Sequence, residues 1–498
     1  MKYILGIDIG TSGTKTVLFN EEGQKVCSKT IEYDLIQPKN GWAEQAPEQW
    51  LNAVKETIKY IVKNANVNIE NIKGIGLSGQ MHGLVMVDKN GDVLRNAILW
   101  CDGRTSKECL EITEKVGKDR LIEICANPAL TGFTAGKILW IRKNEPHIYK
   151  KCYKILLPKD YIRYKLTGLF GTEPSDASGT NLFDIKNICW SKEILDKLDI
   201  DISLLPDIKQ SIDIAGNLTE EISKELGLSK DTIVCMGAGD NAASAIGTGI
   251  IENGKAFTTI GTSGVIFAYT DKLIIDKECR VHTFCHAIPN VWGVMSCTLS
   301  AGMSLKWFKN NFCSQDTYET INECIKNIPI GSENLIYLPY LMGERSPILD
   351  ENARGVFFGL SAIHNKYHIA KAIMEGVSYS QKQCLDLIKD MGLEIDNMYI
   401  CGGGAKSYNW HKMISDIYNL ETISIENEQG AVLGACILAS VACGIYKNIK
   451  EACNKLINIK DKVSPTKENN NQYMKFYEIY KNLYPALKDG FKQLNSIN

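Results

Sequence analysis

The chain has no Gly-x-x-x-x-Gly-Lys-Ser/Thr segment, which excludes a P-loop as its means of holding a nucleotide. It has no Cys-x-x-Cys either, and its seventeen cysteines are odd in number. Most of them lie in apolar runs such as Val234-Cys235-Met236 and Ala435-Cys436-Ile437. This argues against a disulfide framework and for small buried hydrophobes in a reducing cytosol, so a cytoplasmic location is expected. Neither sign of charge is in excess: the formal net charge is -2 at pH 7 and the lysines are scattered. Neither nucleic acid nor an anionic membrane surface is an expected partner. Long hydrophobic runs are missing too. The strongly apolar uncharged stretch 431–446 falls short of the ~20 residues a spanning helix needs. The apolar N-terminus is broken by Asp8 and lacks a processing site, so neither a signal peptide nor a membrane anchor is expected. A small-molecule partner fits this balance best, and the length suits two to four domains.

What is present is a repeat. Ile-Gly-Thr-Ser-Gly occurs at Ile9 to Gly13 and again at Ile260 to Gly264, half a chain further on. Strand-like apolar runs flank both copies, so each reads as strand, tight turn, strand, and two related halves follow. Amides in such a turn can converge on an anion, because glycine permits close approach and small hydroxyls add donors. Two such loops would grip the two ends of one polyphosphate; ordinary hairpins with favourable turn residues are the alternative.

The first half reads as an antiparallel meander over 2–33, a helix over 47–64, strands over 72–77 and 83–87, and a mixed insert over 101–205. A buried strand over 232–236 and a small-residue helix over 241–247 close it. The second half repeats the order: a meander from 255, a helix over 368–391, a strand over 397–401 and a buried helix from 430. A polar loop over 461–472 then leads to a last amphipathic helix over 473–494, expected to pack through Phe476, Ile479, Tyr480 and Leu483. The boundary falls near Gly249, giving domains 1–248 and 249–498 that share a cleft, since no low-complexity linker separates them.

Several residues carry candidate chemistry. Asp8 ends the first buried strand, where a carboxylate is costly unless solvated, paired or aimed at a cation; there it would hold magnesium through water, or serve as a turn cap. Gly237-Ala238-Gly239-Asp240-Asn241 puts a second acid at a glycine-flanked strand-to-helix turn. Phosphoryl transfer to an alcohol needs a base with such an open approach, though Asp240 also fits a helix N-cap. The triple glycine Gly402-Gly403-Gly404 offers bare backbone to a flat ligand or forms a simple turn. Ser78-Gly79-Gln80-Met81-His82-Gly83 gathers amide, thioether and imidazole at a bend that suits a polyol, although a lone histidine there is often structural. Gly74-Ile75-Gly76-Leu77-Ser78-Gly79 and Gly237 to Ala242 mimic the dinucleotide fingerprint, but the first is followed by strand and the second puts an acid in the phosphate turn. His282, Cys285 and His286 lack a fourth metal ligand nearby.

Gly132-Phe133-Thr134-Ala135-Gly136-Lys137-Ile138-Leu139-Trp140 is similar to the first signature of the FGGY family of carbohydrate kinases. Gly355-Val356-Phe357-Phe358-Gly359-Leu360, followed by His368-Ile369 and Ala372-Ile373-Met374-Glu375, resembles the second. The resemblance implies an α/β chain of two ribonuclease H-like domains, of the actin, hexokinase and heat-shock ATPase type, closing on ATP, magnesium and a sugar. It implies that Asp240 is the catalytic base and Asp8 the acid near Mg2+ and the γ-phosphate. Thr11, Ser12, Gly13 and Lys15 would make the first phosphate contact, Gly261 and Thr262 the second, and Gly403, Gly404, Ala405 and Asn409 the adenosine side. Gln80, Met81 and His82, in Gly-Gln-Met-His-Gly form, match the sugar contacts of members acting on D-xylulose rather than on glycerol, gluconate or L-ribulose. Trp100, Asp102 and Arg104 match a substrate-side segment in which Cys101 replaces a more usual polar residue, and Asn241 is a further sugar ligand. The implied reaction is ATP-dependent phosphorylation of D-xylulose to D-xylulose 5-phosphate. A kinase for another ketose or polyol (ribulose, ribitol, glycerol) and a non-catalytic actin-like ATP-binding scaffold are the alternatives; a homodimer is compatible with the sequence.

Overall fold

The computed structural model describes residues 1–426 and 430–497, and among them two seven-stranded sheets are each wound around one copy of the repeat. In the first half β1 (Tyr3–Ile9), β2 (Gly13–Asn20) and β3 (Lys25–Glu32) form the expected meander. Helix α1 (Pro47–Asn64) follows with proline in its first turn, where a fixed φ and a missing N–H cost nothing, and Glu48 near its positive end. Its Trp50, Val54, Ile58 and Ile61 are wholly buried at helical spacing. Then β4 (Ile72–Gly79) lies parallel to β1, and a largely helical insert precedes β5 (Ile214–Asn217), β6 (Ile233–Cys235) and β7 (Ala238–Gly239). The sheet order is β5-β6-β4-β1-β2-β3, with β7 also pairing with β4.

Helix α2 (Asp240–Thr248) ends the first half, and β8 (Gly254–Ile260) begins the second. With β9 (Gly264–Thr270), β10 (His282–Cys285), β11 (Trp292–Thr298), β12 (Ile395–Cys401), β13 (Glu421–Ile425) and β14 (Ile459–Val463), the second sheet runs β10-β11-β9-β8-β12-β13-β14. Its pairings repeat those of the first: an antiparallel hairpin carrying Ile-Gly-Thr-Ser-Gly, two strands parallel to the first strand of that hairpin, and an antiparallel outer strand.

The halves meet through two helices made of small residues. Helix α3 (Gly430–Ala442), which belongs to the second half in sequence, lies on β1 and β4 of the first sheet and against α2. A Cβ at Gly76 would run into the Ala435 carbonyl and one at Gly434 into that of Ala243, so these close approaches need glycine. On its other side α2 turns Ala245 toward Phe257, Ile423 and Ile425 of the second sheet. The stack is therefore sheet, α3, α2, sheet.

The loop expected over 461–472 is instead strand β14 and the start of helix α4 (Lys467–Asn495). The strand is an outer one with only Val463 buried, so its residues carry none of the alternation that marks a half-buried strand. Helix α4 buries Tyr473, Tyr477, Tyr480, Leu483 and Phe491, while Ile479, expected to pack, is 46% exposed.

Candidate active site

The two acids converge because the parallel strands end together. Across the first sheet Asp8, Ser78 and Ala238 stand in one row, which puts Asp240 just beyond the strand ends, where α/β sheets hold their ligands. Ser78 Oγ donates to Asp8 Oδ1 at 2.9 Å. Burial holds the Asp8 carboxyl above its ordinary range, against the pull of Ser78 and of Lys15, its partner across the hairpin. Lys15 is itself lowered, chiefly by burial. Asp240 opens α2 behind Gly239, and burial together with the charge of Asp8 pushes its carboxyl up to about 7. Asn241 Nδ2 donates to Asp240 Oδ1 at 3.1 Å and reaches Met81 Sδ at 3.7 Å.

The first hairpin tip is braced from behind. Tyr33 hydroxyl donates to the Gly10 carbonyl at 2.6 Å and Gln45 Nε2 to the Thr11 carbonyl at 2.7 Å. Thr11 Oγ1 donates to Gln80 Oε1 at 3.1 Å and accepts from the Trp100 indole at 2.9 Å. Gln80 Nε2 in turn donates to Gln45 Oε1 at 3.1 Å. Gln80, expected at the sugar, thus has both ends of its amide committed to the loop, and Trp100 is tied to the same threonine. Among the described residues no acceptor meets the Thr11 and Ser12 amides, nor those of Thr262 and Ser263 in the second hairpin. Both tips therefore offer free donors.

Met81 is buried beside Asn241, and His82 takes a left-handed backbone conformation with φ +68°. The His82 ring lies 2.7 Å through Nδ1 from the Gly179 carbonyl. That places its proton on Nδ1 and leaves Nε2 an acceptor; burial lowers its pKa to about 3, so the ring is neutral. It stacks on Phe133 at 4.4 Å. Thr134 and Lys137, from the helix Thr134–Asn144, donate to the His82 carbonyl at 3.0 and 2.8 Å, which gives the Gly132 to Trp140 segment its structural purpose. Asp102 and Arg104 are not at the open cleft. Asp102 accepts from the Ala43 amide at 2.6 Å and from Arg104, whose fork also reaches Glu44 at 2.7 Å and lies 3.7 Å over Trp42.

From the second half, β10 brings Phe284 to 5.9 Å from the His82 ring and His282 to 6.2 Å from Phe133. Only the ligand-poor spacing of His282, Cys285 and His286 drew attention to this strand in the sequence, and among the described residues no group of side chains could cage a metal. His282 is instead anchored through Nδ1 on Asn127 Oδ1 at 2.8 Å.

The second hairpin borders a cavity of about 790 Å³ lined by Gly261, Thr262, Gly302, Met303, Trp307, Tyr318, Gly403 and Gly404, among others. That volume is in the range of cofactor-sized pockets. Ala405 belongs to the same turn, Gly403–Lys406. Asn409 does not line the cavity; its Nδ2 donates to the Asn322 carbonyl at 2.7 Å and so fixes the wall. Trp307 and Tyr318 went unnoticed in the sequence, where nothing sets them apart from core aromatics.

An α/β body with one Ile-Gly-Thr-Ser-Gly hairpin in each half, the first braced from behind, and two acids at the strand ends of the first sheet has the build of a phosphotransferase of the actin and hexokinase architecture. Residues 3–247 match the N-terminal domain, and residues 256–443 the C-terminal domain, of the FGGY family of carbohydrate kinases, and the chain belongs to that family. It is 41% identical to the xylulose kinase of Bacillus subtilis (strain 168), with 98% of each chain covered. Among solved structures it resembles a ligand-bound xylulose kinase from Lactobacillus acidophilus, with a TM-score of 0.93 at 29% identity over 99% of this chain and 100% of that one. A gluconate kinase from the same organism is equally near, with a TM-score of 0.92 at 29% identity over 99% of each.

Proposed function

We propose that this carbohydrate kinase transfers the γ-phosphoryl group of ATP to the terminal hydroxyl of D-xylulose, giving D-xylulose 5-phosphate. The observation that carries the reaction class is Asp240, an acid raised to about 7 by burial and by the charge of Asp8, in a chain whose two hairpin tips leave amides free. A base so poised takes the hydroxyl proton as the phosphorus–oxygen bond forms. The hairpin amides at Thr11, Ser12 and Thr262 neutralise charge on the phosphates, Gly403, Gly404 and Ala405 accept the adenosine, and Lys15 adds positive charge beside Asp8.

Magnesium fits Asp8. Its Oδ1 is held by Ser78, no protein cage of ligands is present among the described residues, and burial leaves the carboxylate in want of a countercharge. Asp8 would hold a hydrated magnesium ion, which would supply charge neutralisation at the transferring group. Met81, His82 and Asn241 line the sugar end, with Gln80, Trp100, Asp102 and Arg104 shaping it from behind. The sugar and the base belong to 1–248 and the nucleotide to 249–498, although α3 crosses to the first sheet.

D-Xylulose itself is favoured by the 41% identical relative over the full length, and not by the fold, which a gluconate kinase shares equally. A coupled assay of ADP release over pentuloses, pentitols, glycerol and gluconate tests the choice. The highest kcat/KM is expected on D-xylulose; a higher value on any other member would overturn the substrate and leave the kinase standing. All seventeen cysteines are free thiols and no described helix is long and apolar enough to cross a membrane, which supports a cytoplasmic place for the reaction.

A further inference from the structure

Five ionisable side chains, Lys159, Asp160, Arg163, Glu173 and Asp176, are wholly buried behind the turn that carries Asp240. Lys159 Nζ lies 2.7 Å from Asp160 Oδ1 and 3.5 Å from both Glu173 Oε1 and Asp176 Oδ2, and Arg163 shares Asp160 Oδ1 at 2.7 Å. Desolvating so many charges is expensive, and apolar side chains of the same volume often give equal or better stability. Both oxygens of Asp176, Asp160 Oδ2 and Arg163 Nε lack a hydrogen-bond partner, so the cluster is not there for its own satisfaction.

Two of its outward bonds go to the segment before Asp240, while Arg163 also donates to the Gly171 carbonyl. Arg163 donates to the Met236 carbonyl at 3.1 Å, four residues before Asp240. Ser175 Oγ accepts from the Gly239 amide at 3.0 Å, the residue directly before Asp240. That hydroxyl has its own proton directed to Glu173 Oε1 at 2.9 Å, so a lone pair is turned toward Gly239. Glu173 is fixed in its turn by the amides of Ser175 and Asp176 and by Ser211 Oγ at 2.8 Å. The Ser211 carbonyl meanwhile accepts from the Gly237 amide. The segment 236–239, from the end of β6 through β7, is thus held at Met236, Gly237 and Gly239.

We propose that Ser175, oriented by Glu173, is a positioning residue for phosphoryl transfer: it fixes the backbone at Gly239 and thereby the reach of the Asp240 carboxylate to the sugar hydroxyl. The inference rests on the reading of Asp240 as the base. Glycines at 237 and 239 give this segment freedom that a base cannot tolerate, and a hydroxyl bond at the last residue before the helix removes it. An error of one ångström in such a geometry costs on the order of a hundredfold in rate.

The test uses the full chain with Ser175→Ala, Ser175→Thr and Asp240→Ala, assayed with ATP, magnesium and D-xylulose. Ser175→Ala is expected to lower kcat roughly 10–100-fold while KM for sugar and for ATP move less than about threefold, and Ser175→Thr, which keeps the hydroxyl, to recover most of the turnover. A structural role alone would lower the folded fraction and leave kcat per folded molecule unchanged. Retention of more than about half of kcat by Ser175→Ala, or a loss confined to KM, overturns the inference. If Ser175→Ala does not fold, Glu173→Gln, which keeps an acceptor for the hydroxyl, is held to the same criteria. Asp240→Ala separates the failures: should it stay active the base reading is wrong, and should it be dead while Ser175→Ala is unaffected only the positioning is wrong.

Discussion

In the first hairpin the residue before Ile9 is Asp8, paired across the sheet with Ser78; in the second the residue before Ile260 is Thr259, paired with Cys401. The pentapeptides are identical, the strand pairings are the same, and both tips leave amides free. Both offer neutral donors to a phosphate, while the first alone has an acid at the position that a magnesium ion would share. Behind the first tip lies a brace of Gln45, Gln80 and Trp100, whereas beside the second a cavity of about 790 Å³ opens. The two hairpins are of the same make and differ at the strand ends, and it is on that difference that the proposed division of work between them rests.

The sharpest way to break this division is to remove the acids. Asp240→Ala is expected to lower kcat by about 10²–10⁴-fold with nucleotide binding intact, as measured by ADP release and by calorimetric titration of ATP. Asp8→Asn should follow, with a loss of about 10²-fold or more that higher magnesium relieves in part. The equivalent change in the other hairpin, Thr259→Val, should alter kcat less than about threefold; a loss matching that of Asp8→Asn would mean the hairpins work alike. On the nucleotide side, a Cβ at Gly404 would stand 2.7 Å from Ile260. Overpacking of that size costs roughly 1–3 kcal/mol, so Gly404→Ala should raise KM for ATP about tenfold and leave KM for the sugar unchanged.

The same pair of acids sets the pH response. Asp240 must be ionised to accept a proton, so kcat/KM should fall on the acid side with a midpoint near 7. Burial is the larger cause of that value and the charge of Asp8 the second. Asp8→Asn should therefore move the midpoint of the remaining activity downward by about one unit. A midpoint that stays in place would show that the two carboxylates do not feel each other.

The repeat, the meander of the first half and helix α1, whose bounds came out as expected, were legible because local signals agree there: apolar periodicity, turn residues and a proline at the helix start. Asp8 and Asp240 were legible as acids at glycine-flanked strand ends. Helix α3 was seen as buried, but its seat on the other half's sheet depends on glycines at 76 and 434 that only matter once the partners meet. Asp102 and Arg104 were set on the substrate side by resemblance to a family segment, and the fold ties them to each other, to the Ala43 amide and to Glu44, contacts that no motif announces. His282 and Phe284 escaped because nothing in the chain near them announces that β10 will meet His82. What stays hidden in the sequence is the partner a side chain meets after folding, whether two residues away, as for Asp102 and Arg104, or about two hundred, as for His82 and Phe284.

The last and smallest effect concerns stability. A carboxyl held near 7 in the folded chain and near 3.8 when unfolded keeps its proton in the native state through that window. The native state then binds more protons than the unfolded one, so stability falls as pH rises from about 4 to about 7 and stays lowered above. Asp240→Asn has no such proton to lose. Its advantage over the natural chain should be near zero at pH 4, grow through pH 5 to 7 and level off above. A shift of about three units sets an upper bound of about 4 kcal/mol, and access of water to the cleft reduces the expected gain to the order of 1–2 kcal/mol, a rise of a few degrees in Tm at pH 8. Melting curves of both chains from pH 4 to 8 measure it. A constant difference across that range would mean that the Asp240 carboxylate costs the fold nothing, and that its place beside Asp8 is not the strained one that separates the first half of the molecule from the second.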